Sequence, residues 1–504
     1  MRLSSRSLAL ALALISLGIY LPMLRADFVW DARPAILTSP YLHDASHFAD
    51  ILSLRVMSRD VLDNNRPVFL LSALLDWTLW GIHPFGFHLT NIVLHALVVV
   101  LLFAWLRRLL PGDGPGIPFF AALLFAVHPI NCEAVAEVSY RKDLIAAACI
   151  LGALHLAALF QPRLSWKNVT LGGLCVLLLF LAVGAKENGA AGPPALVCYW
   201  LWFRRGEPRR GWLALLGVAT LVVAAFLLAR FTLPPRHSLI FTERPAQLGG
   251  SLLDTLLIQT RIWAFYARQV VLPLALCADY GAYNLRHFGL DVSIVVLLVV
   301  IGAQVLFSRV NRVSRLGAAF FWLALLPASN LVPLYRVLAD RFLYLPMCGV
   351  AMMLAGMCSA AKFNRRMPAF AATAATVCLA ACTFQREKVW QNEEALWTDT
   401  AQKNPSSYPA AANLASALLE KHDAAASVES ADRAIEIIHG QRPDPYAIKA
   451  LALEQLGRPS EADAAYKKAL ELDARYRDPR SLVTALVWEE KDVPSLEALA
   501  RRNR

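Results

Sequence analysis

Charge is what this chain has least of. Asp, Glu, Lys and Arg supply 17% of its 504 residues, where a soluble globular protein carries about 25%. The deficit excludes an ordinary soluble domain. Several apolar runs reach the roughly 20 residues needed to cross about 30 Å of hydrocarbon, so a polytopic membrane protein is expected. Cysteine motifs are missing as well. Nine cysteines are present, none forms a Cys-x-x-Cys pair, and most lie inside apolar runs. That pattern suggests neither a zinc site nor a disulfide framework, and no metal is expected. No clear small-x-small cleavage site follows the first apolar run, which comes after Arg2 and Arg6. It reads as a retained helix.

Spans are expected at roughly 8–24, 87–106, 117–137, 143–160, 168–185, 188–203, 211–231, 290–307, 316–332, 341–361 and 367–385, eleven in all. With a cytoplasmic start, the cytoplasmic segments hold sixteen lysines and arginines against two acids, Asp113 and Glu207. Every short loop on that side is basic, as the positive-inside rule requires. The surplus there, 16 − 2 = 14, exceeds the net charge of +11. The basic balance is therefore a signal of topology, and no nucleic-acid partner is expected. Segment 251–276 carries Asp254, Arg261 and Arg268 and reads as an amphipathic helix on the outer surface. A membrane domain is expected over 1–385, with a first outer loop at 25–86 and a second at 232–289. The tail, 386–504, would lie on the outer side.

The tail repeats itself. "LLEKHDAAASVESADRAIEI" aligns with "LEQLGRPSEADAAYKKALEL", so that Ala434-Ile435-Glu436 matches Ala469-Leu470-Glu471 at an offset of 35. His422 stands where Gly457 ends its helix. Paired helices at about 34 residues per unit are the tetratricopeptide pattern. Such stacks form a concave face for a protein partner.

Polar residues gather where the spans meet the outer side: "NNRPVF" (64–69), "HPINCEAVAEVSYRKD" (128–143), "AKENG" (185–189) and "LADRFLYLP" (338–346). Ionisable groups at such depths are costly and tend to be functional or paired. Glu133, Glu137 and Arg141 recur every four residues, which would align them as ion pairs on one helical face. His128 before Pro129 reads as a cap, Lys186-Glu187 as a local pair, and Arg341 as a snorkelling cation. Asp31, in "RADFVWDARPAIL", reads alone as a turn former. Together, four loops bring carboxylates and cations to one face. A membrane enzyme handling an anionic lipid headgroup needs that combination, with cations for the phosphate and a carboxylate to take a proton.

"NRPVFLLSALLDWTLWGIHPFGFHLTNIVLHAL", "LLFAVHPINCEAVAEVSYRKDLIAA", "GAKENG" and "DRFLYLP" resemble the TMTC proteins, transmembrane and tetratricopeptide-repeat O-mannosyltransferases, and their bacterial relatives. The similarity runs from about 25 to 475. It implies an all-α GT-C membrane fold with a repeat tail. It also implies an inverting transfer of a sugar, mannose in the named family, from a polyprenyl-phosphate carrier to a hydroxyl, with an acid of the first outer loop as base. Asp31 falls at that place. The family usually has two adjacent acids there, whereas Asp31 is followed by Ala32.

The expected reaction is deprotonation of a protein hydroxyl by Asp31 and its attack on C1 of the lipid-linked sugar. Arg141, Lys186 and Arg341 are the candidates for the donor phosphate, with Arg66 and His128 next. Glu133, Asp143, Glu187 and Tyr344 would support them. The lipid-linked sugar is the expected membrane partner, and no other cofactor is anticipated. The Ala- and Arg-rich composition points to a bacterial inner membrane with the repeats in the periplasm. Two rival readings remain open at this stage. One is en bloc glycan transfer from a diphosphate lipid; the other is a non-catalytic scaffold or lipid transporter. A transporter calls for broken helices with polar groups near the midplane, and only "AAGPP" (190–194) has that character.

Overall fold

The computed structural model describes residues 4–233, 247–281, 290–361, 366–480 and 490–503. Residues 234–246 and 282–289 of the second outer loop, 481–489 of the tail, and the basic residues Arg2, Lys362 and Arg365 lie outside that set. Among the described residues there is no strand. The chain is all-α, a multi-pass membrane protein with a helical-repeat tail.

The membrane part comprises α1 (Ser5–Ile19), α2 (Pro67–Trp80), α3 (Pro84–Leu109), α4 (Gly116–Ala126), α5 (Cys132–Ala136), α6 (Arg141–Leu159), α7 (Trp166–Ala185), α8 (Gly192–Tyr199), α9 (Arg209–Thr232), α10 (Leu252–Val271), α11 (Leu290–Ser308), α12 (Arg312–Leu325), α13 (Tyr344–Ala360) and α14 (Arg366–Val389). A helix lies in each of the eleven expected ranges. Among the described residues five segments qualify as spans by length and apolarity: Pro84–Leu109, Val138–Leu159, Trp166–Ala185, Arg209–Thr232 and Asp340–Ala360. The pair Gly116–Ala126 and Pro129–Ala136, bent by 49°, makes a sixth if it is one broken span.

Several expectations change here. The first outer loop contains α2, an apolar helix started by Pro67 and too short to draw notice as a span. The segment "HPINCEAVAEVSYRKD" is not one helix. α5 stops at Ala136, and Glu137 is extended (φ −82°, ψ 112°), so Glu133, Glu137 and Arg141 do not share a face. α10 exists; Leu252, Leu253, Leu256, Leu257, Arg268 and Val271 are exposed, and Thr255, Gln259, Ile262, Ala264, Phe265, Tyr266 and Gln269 are buried, so polar and apolar residues lie on both sides.

Three glycines set two close approaches. On Gly317 of α12 a Cβ would sit 2.5 Å from the Gly349 carbonyl oxygen of α13, and the reverse contact is 2.6 Å. Only glycine lets these two backbones cross so near. In "AKENG", a Cβ on Gly189 would meet the Ala182 carbonyl carbon at 2.3 Å. The missing side chain lets the chain fold back over the end of α7 and present Lys186 and Glu187 inward.

The tail follows without a break at 385/386, because α14 continues to Val389. Then come α15 (Glu393–Lys403), the pair α16 (Tyr408–Glu420) and α17 (Ala424–Ile437), the pair α18 (Asp444–Gln455) and α19 (Pro459–Leu472), and α20 (Val493–Arg502). His422 and Gly457, matched by the repeat, both take left-handed backbone, φ 62° and 69°. Each closes the turn between paired helices. Small residues such as Ala415, Ala431, Ala447 and Ala462 fill the seams.

Candidate active site

Asp31 lies in the segment between α1 and α2. Its Oδ2 accepts a 2.7 Å hydrogen bond from the Tyr140 hydroxyl. Among the described residues nothing holds Oδ1. Tyr140 is fully buried just before α6. Over its ring, 4.0 Å from the centroid, lies the Arg341 guanidinium. Glu133 of α5 fixes that guanidinium: one carboxylate oxygen accepts from the Arg341 backbone N–H at 3.0 Å, the other from the side chain. Asp31, Tyr140, Arg341 and Glu133 form one chain of contacts drawn from four segments.

Lys186 approaches from the end of α7. Asp143 holds its ammonium at 2.5 Å, and Asn188 donates to the other Asp143 oxygen at 3.0 Å. Burial pushes the Lys186 ammonium below its ordinary value, opposed by the Asp143 carboxylate. The Phe342 ring carries both cations, Lys186 at 5.3 Å and Arg341 at 5.2 Å from its centroid. These two sites therefore converge.

Arg66 belongs to a network beside them. It pairs with Asp63 and with Glu187, the latter at 3.2 Å. Arg230 of α9 reaches Glu187 at 2.9 Å, and Lys142 reaches Asp63 at 2.9 Å. Burial alone would raise the Asp63 carboxyl, but Lys142 and Arg66 hold it well below the ordinary range. Glu187 is depressed in the same way by Arg66 and Arg230. Lys186 and Glu187 thus face different partners and are not a local pair.

Three of the expected residues stand elsewhere. Arg141 is fully buried, and its donors are taken by Asp76 (2.5 Å), Asn91 (3.0 Å), Ser72 and the Phe87 carbonyl (2.9 Å). It locks α2, α3 and α6 together, and its partner is Asp76, not Glu137. His128 accepts from the Ile130 N–H through Nδ1, and Nε2 donates to the Val270 carbonyl at 3.1 Å. It is a cap that also ties down α10. Tyr344 turns its hydroxyl to His95 Nδ1 at 2.8 Å.

Other side chains join the site that were not among the expected site residues. Lys142 lies 5.6 Å from the Tyr140 ring centroid. Arg336 covers the Trp30 ring at 4.8 Å and pairs with Asp279 at 2.8 Å. Glu137, whose charge is close enough to Asp31 to oppose it, accepts from Ser139 at 2.7 Å; its Oε1 is buried without a partner among the described residues. The Glu393 carboxyl of the tail accepts from the Trp30 N–H at 2.5 Å. Burial lifts it above its ordinary value, and that hydrogen bond counters the rise. Among the described residues no three His, Cys, Asp or Glu side chains are arranged to hold a metal ion.

The chain is similar to several known proteins. Residues 443–476 match a tetratricopeptide-repeat model. Protein O-mannosyl-transferase F38B6.6 of Caenorhabditis elegans is 28% identical over 414 residues, 77% of this chain and 56% of its own length. Protein O-mannosyl-transferase TMTC4 of Homo sapiens is 27% identical over 80% of this chain and 62% of its own. The chain therefore spans a little over half the length of these relatives. A crystal structure of ArnT from Cupriavidus metallidurans bound to undecaprenyl phosphate aligns with 90% of this chain and 79% of its own, at 15% identity and a TM-score of 0.43. The chain is thus similar to TMTC proteins over most of its length, and its tail carries a tetratricopeptide repeat.

Proposed function

We propose that the protein is an inverting membrane glycosyltransferase of GT-C type that moves a sugar from a polyprenyl-phosphate carrier to a protein hydroxyl. The observation that carries the reading is the convergence of Asp31, Tyr140, Arg341 and Lys186. One carboxylate oxygen is held and its twin is open, beside two buried cations on a shared aromatic ring. The relatives named O-mannosyl-transferases make mannose the first sugar to test.

In this reading the open oxygen of Asp31 takes the proton of the acceptor hydroxyl as that oxygen attacks C1. The bond from C1 to the phosphate oxygen breaks, and the electron pair leaves on the lipid phosphate. The attack comes from the opposite side, so the anomeric configuration inverts. A positioned base contributes about 10²–10⁴-fold. Arg341 and Lys186 stabilise the charge that develops on the leaving phosphate, and such preorganised groups act most strongly in a water-poor site. Tyr140 fixes the direction of Asp31. Arg141 holds the scaffold on which Tyr140 stands.

The tail meets the Asp31 loop directly, through the Trp30 to Glu393 hydrogen bond and the Arg33 to Glu420 ion pair at 3.0 Å. That contact supports a location of the repeats on the same, outer side as the site, the periplasm in a bacterium. It also supports the repeats as holders of the acceptor polypeptide. The test is mass analysis of outer-compartment proteins from cells with and without the gene. Sugar-sized additions on Ser or Thr that vanish with the gene and return with a wild-type copy support the reading. Identical protein glycans in both strains would overturn it.

A further inference from the structure

The residue before Asp31 is in an unusual state. Trp30 has φ 51°, a left-handed conformation that a bulky residue seldom takes and that persists only where its surroundings over-determine it. Arg336 covers the Trp30 ring at 4.8 Å and Tyr140 meets it edge-on with centroids 6.3 Å apart, and the tail supplies the rest of its surroundings. The Trp30 N–H donates to one oxygen of Glu393, and the other oxygen accepts from the Trp397 indole N–H. The Trp30 ring stacks on Trp390, centroids 6.2 Å apart and planes 22° apart, and meets the edge of Trp397 at 5.2 Å. Three residues earlier the Asp27 N–H donates to the Gln391 carbonyl at 2.9 Å. All of these tail partners lie within 390–397, where α14 hands over to α15. Asn392 caps α15, accepting from the Ala395 N–H at 2.9 Å, and so fixes the angle at which Glu393 is presented.

We infer that the junction 390–397 is a clamp on the catalytic loop, with Glu393 a positioning residue that sets the direction of the Asp31 carboxylate. The inference rests on the reading of Asp31 as the base. Without the clamp, Trp30 is free to return to negative φ. That rotation swings the following peptide and takes Asp31 away from the Tyr140 hydroxyl. A misplacement of about 1 Å can cost roughly 10²-fold in rate. The repeat domain is then part of the active centre as well as an acceptor platform. The chemistry of Glu393 is specific to the task. Two N–H donors, from Trp30 and Trp397, converge on one side chain, and a carboxylate is the side chain that offers an acceptor oxygen to each.

The test uses the full-length protein in membranes and has two parts. Docking is read without activity: in Asp27→Cys/Gln391→Cys, mild oxidation should form a disulfide that peptide mass mapping identifies, and the cross-linked protein should keep its turnover. Positioning is read by kinetics. Glu393→Ala should lower kcat by about 10–10²-fold with donor KM within about twofold, while the tail stays folded. Glu393→Gln has one acceptor and an amide N–H2 that must face a donor. Adding Trp397→Phe removes that donor, so the double variant should turn over faster than Glu393→Gln alone. If Glu393→Ala fails to reach the membrane, the comparison of Glu393→Gln with the double variant decides. No cross-link, a wild-type kcat in Glu393→Ala, a loss confined to donor KM, or a double variant slower than the single would each overturn the clamp. Retention of transfer by Asp31→Asn would instead strike the base reading, and the cross-link separates the two failures.

Discussion

Replacing Arg141 by Met is the perturbation whose outcome the geometry fixes most tightly. Its guanidinium is fully buried and pairs with Asp76, itself nearly buried, at 2.5 Å. The same head group donates to Asn91, Ser72 and the Phe87 carbonyl. Methionine fills much of the stem volume and removes the charge. Among the described residues Asp76 then keeps only the 2.8 Å hydrogen bond from Thr90, which leaves a buried carboxylate uncompensated. Breaking one partner out of a buried pair costs about 3–5 kcal/mol, or roughly 10²–10⁴-fold in the folding equilibrium. That is a large share of the about 5–15 kcal/mol that holds a typical protein folded. Unfolding of a membrane protein in detergent is commonly irreversible, so the measurable quantity is the half-life of solubilised protein at fixed temperature. Arg141→Met should shorten it strongly and leave donor KM of the surviving enzyme unchanged. Arg141→Met/Asp76→Leu removes both charges and should recover most of the loss. An undisturbed half-life together with a donor KM raised tenfold would refute this reasoning and return Arg141 to the phosphate.

The cations on Phe342 should behave differently. Arg341→Lys keeps charge but gives up the planar contact with Tyr140 and the paired contact with Glu133, and lysine does not replace a guanidinium at such a site; donor turnover should fall at least tenfold with little change in half-life, and unchanged kinetics would remove Arg341 from the site. Lys186→Ala should weaken donor use by deleting charge, read as a rise in donor KM. The network of Asp63 and Glu187 carries a pH signature. Both carboxyls are held below their ordinary values, so their stabilisation is present above about pH 4 and is lost as pH falls through the depressed folded values. Protease protection of residues 25–86 should hold between pH 5 and 8 and weaken progressively as pH falls below about 4, and a loss beginning near pH 6 would contradict the assignment.

The sequence made some of this legible and hid the rest for physical reasons. Helix positions followed from apolar runs, because a run of that length has few other fates in a chain so poor in charge. The repeat turns followed from the match of His422 to Gly457, and both residues adopt left-handed backbone. The pairing of Glu133 with Arg341 and of Asp143 with Lys186 joins motifs that were recognised separately but not as partners. Arg141 and Lys142 were harder to rank. Adjacent residues at a helix start point about 100° apart, and which of them turns inward depends on α2, a helix too short to be noticed. The bend at Glu137 broke a four-residue spacing that looked like one face. The grip of Glu393 on Trp30 joins residues 363 positions apart, and no local pattern announces such a contact.

The most direct measurement is the transfer rate of Asp31→Asn with a polyprenyl-phosphate sugar donor and a hydroxyl acceptor. Asparagine keeps the shape of Asp31 and an oxygen to accept from Tyr140, but it cannot take up the acceptor proton. General-base catalysis by Asp31 predicts a loss of at least about 10²-fold, with normal amounts of protein in the membrane and donor KM little changed. A rate within about tenfold of wild type would contradict it and leave Asp31 as a turn residue.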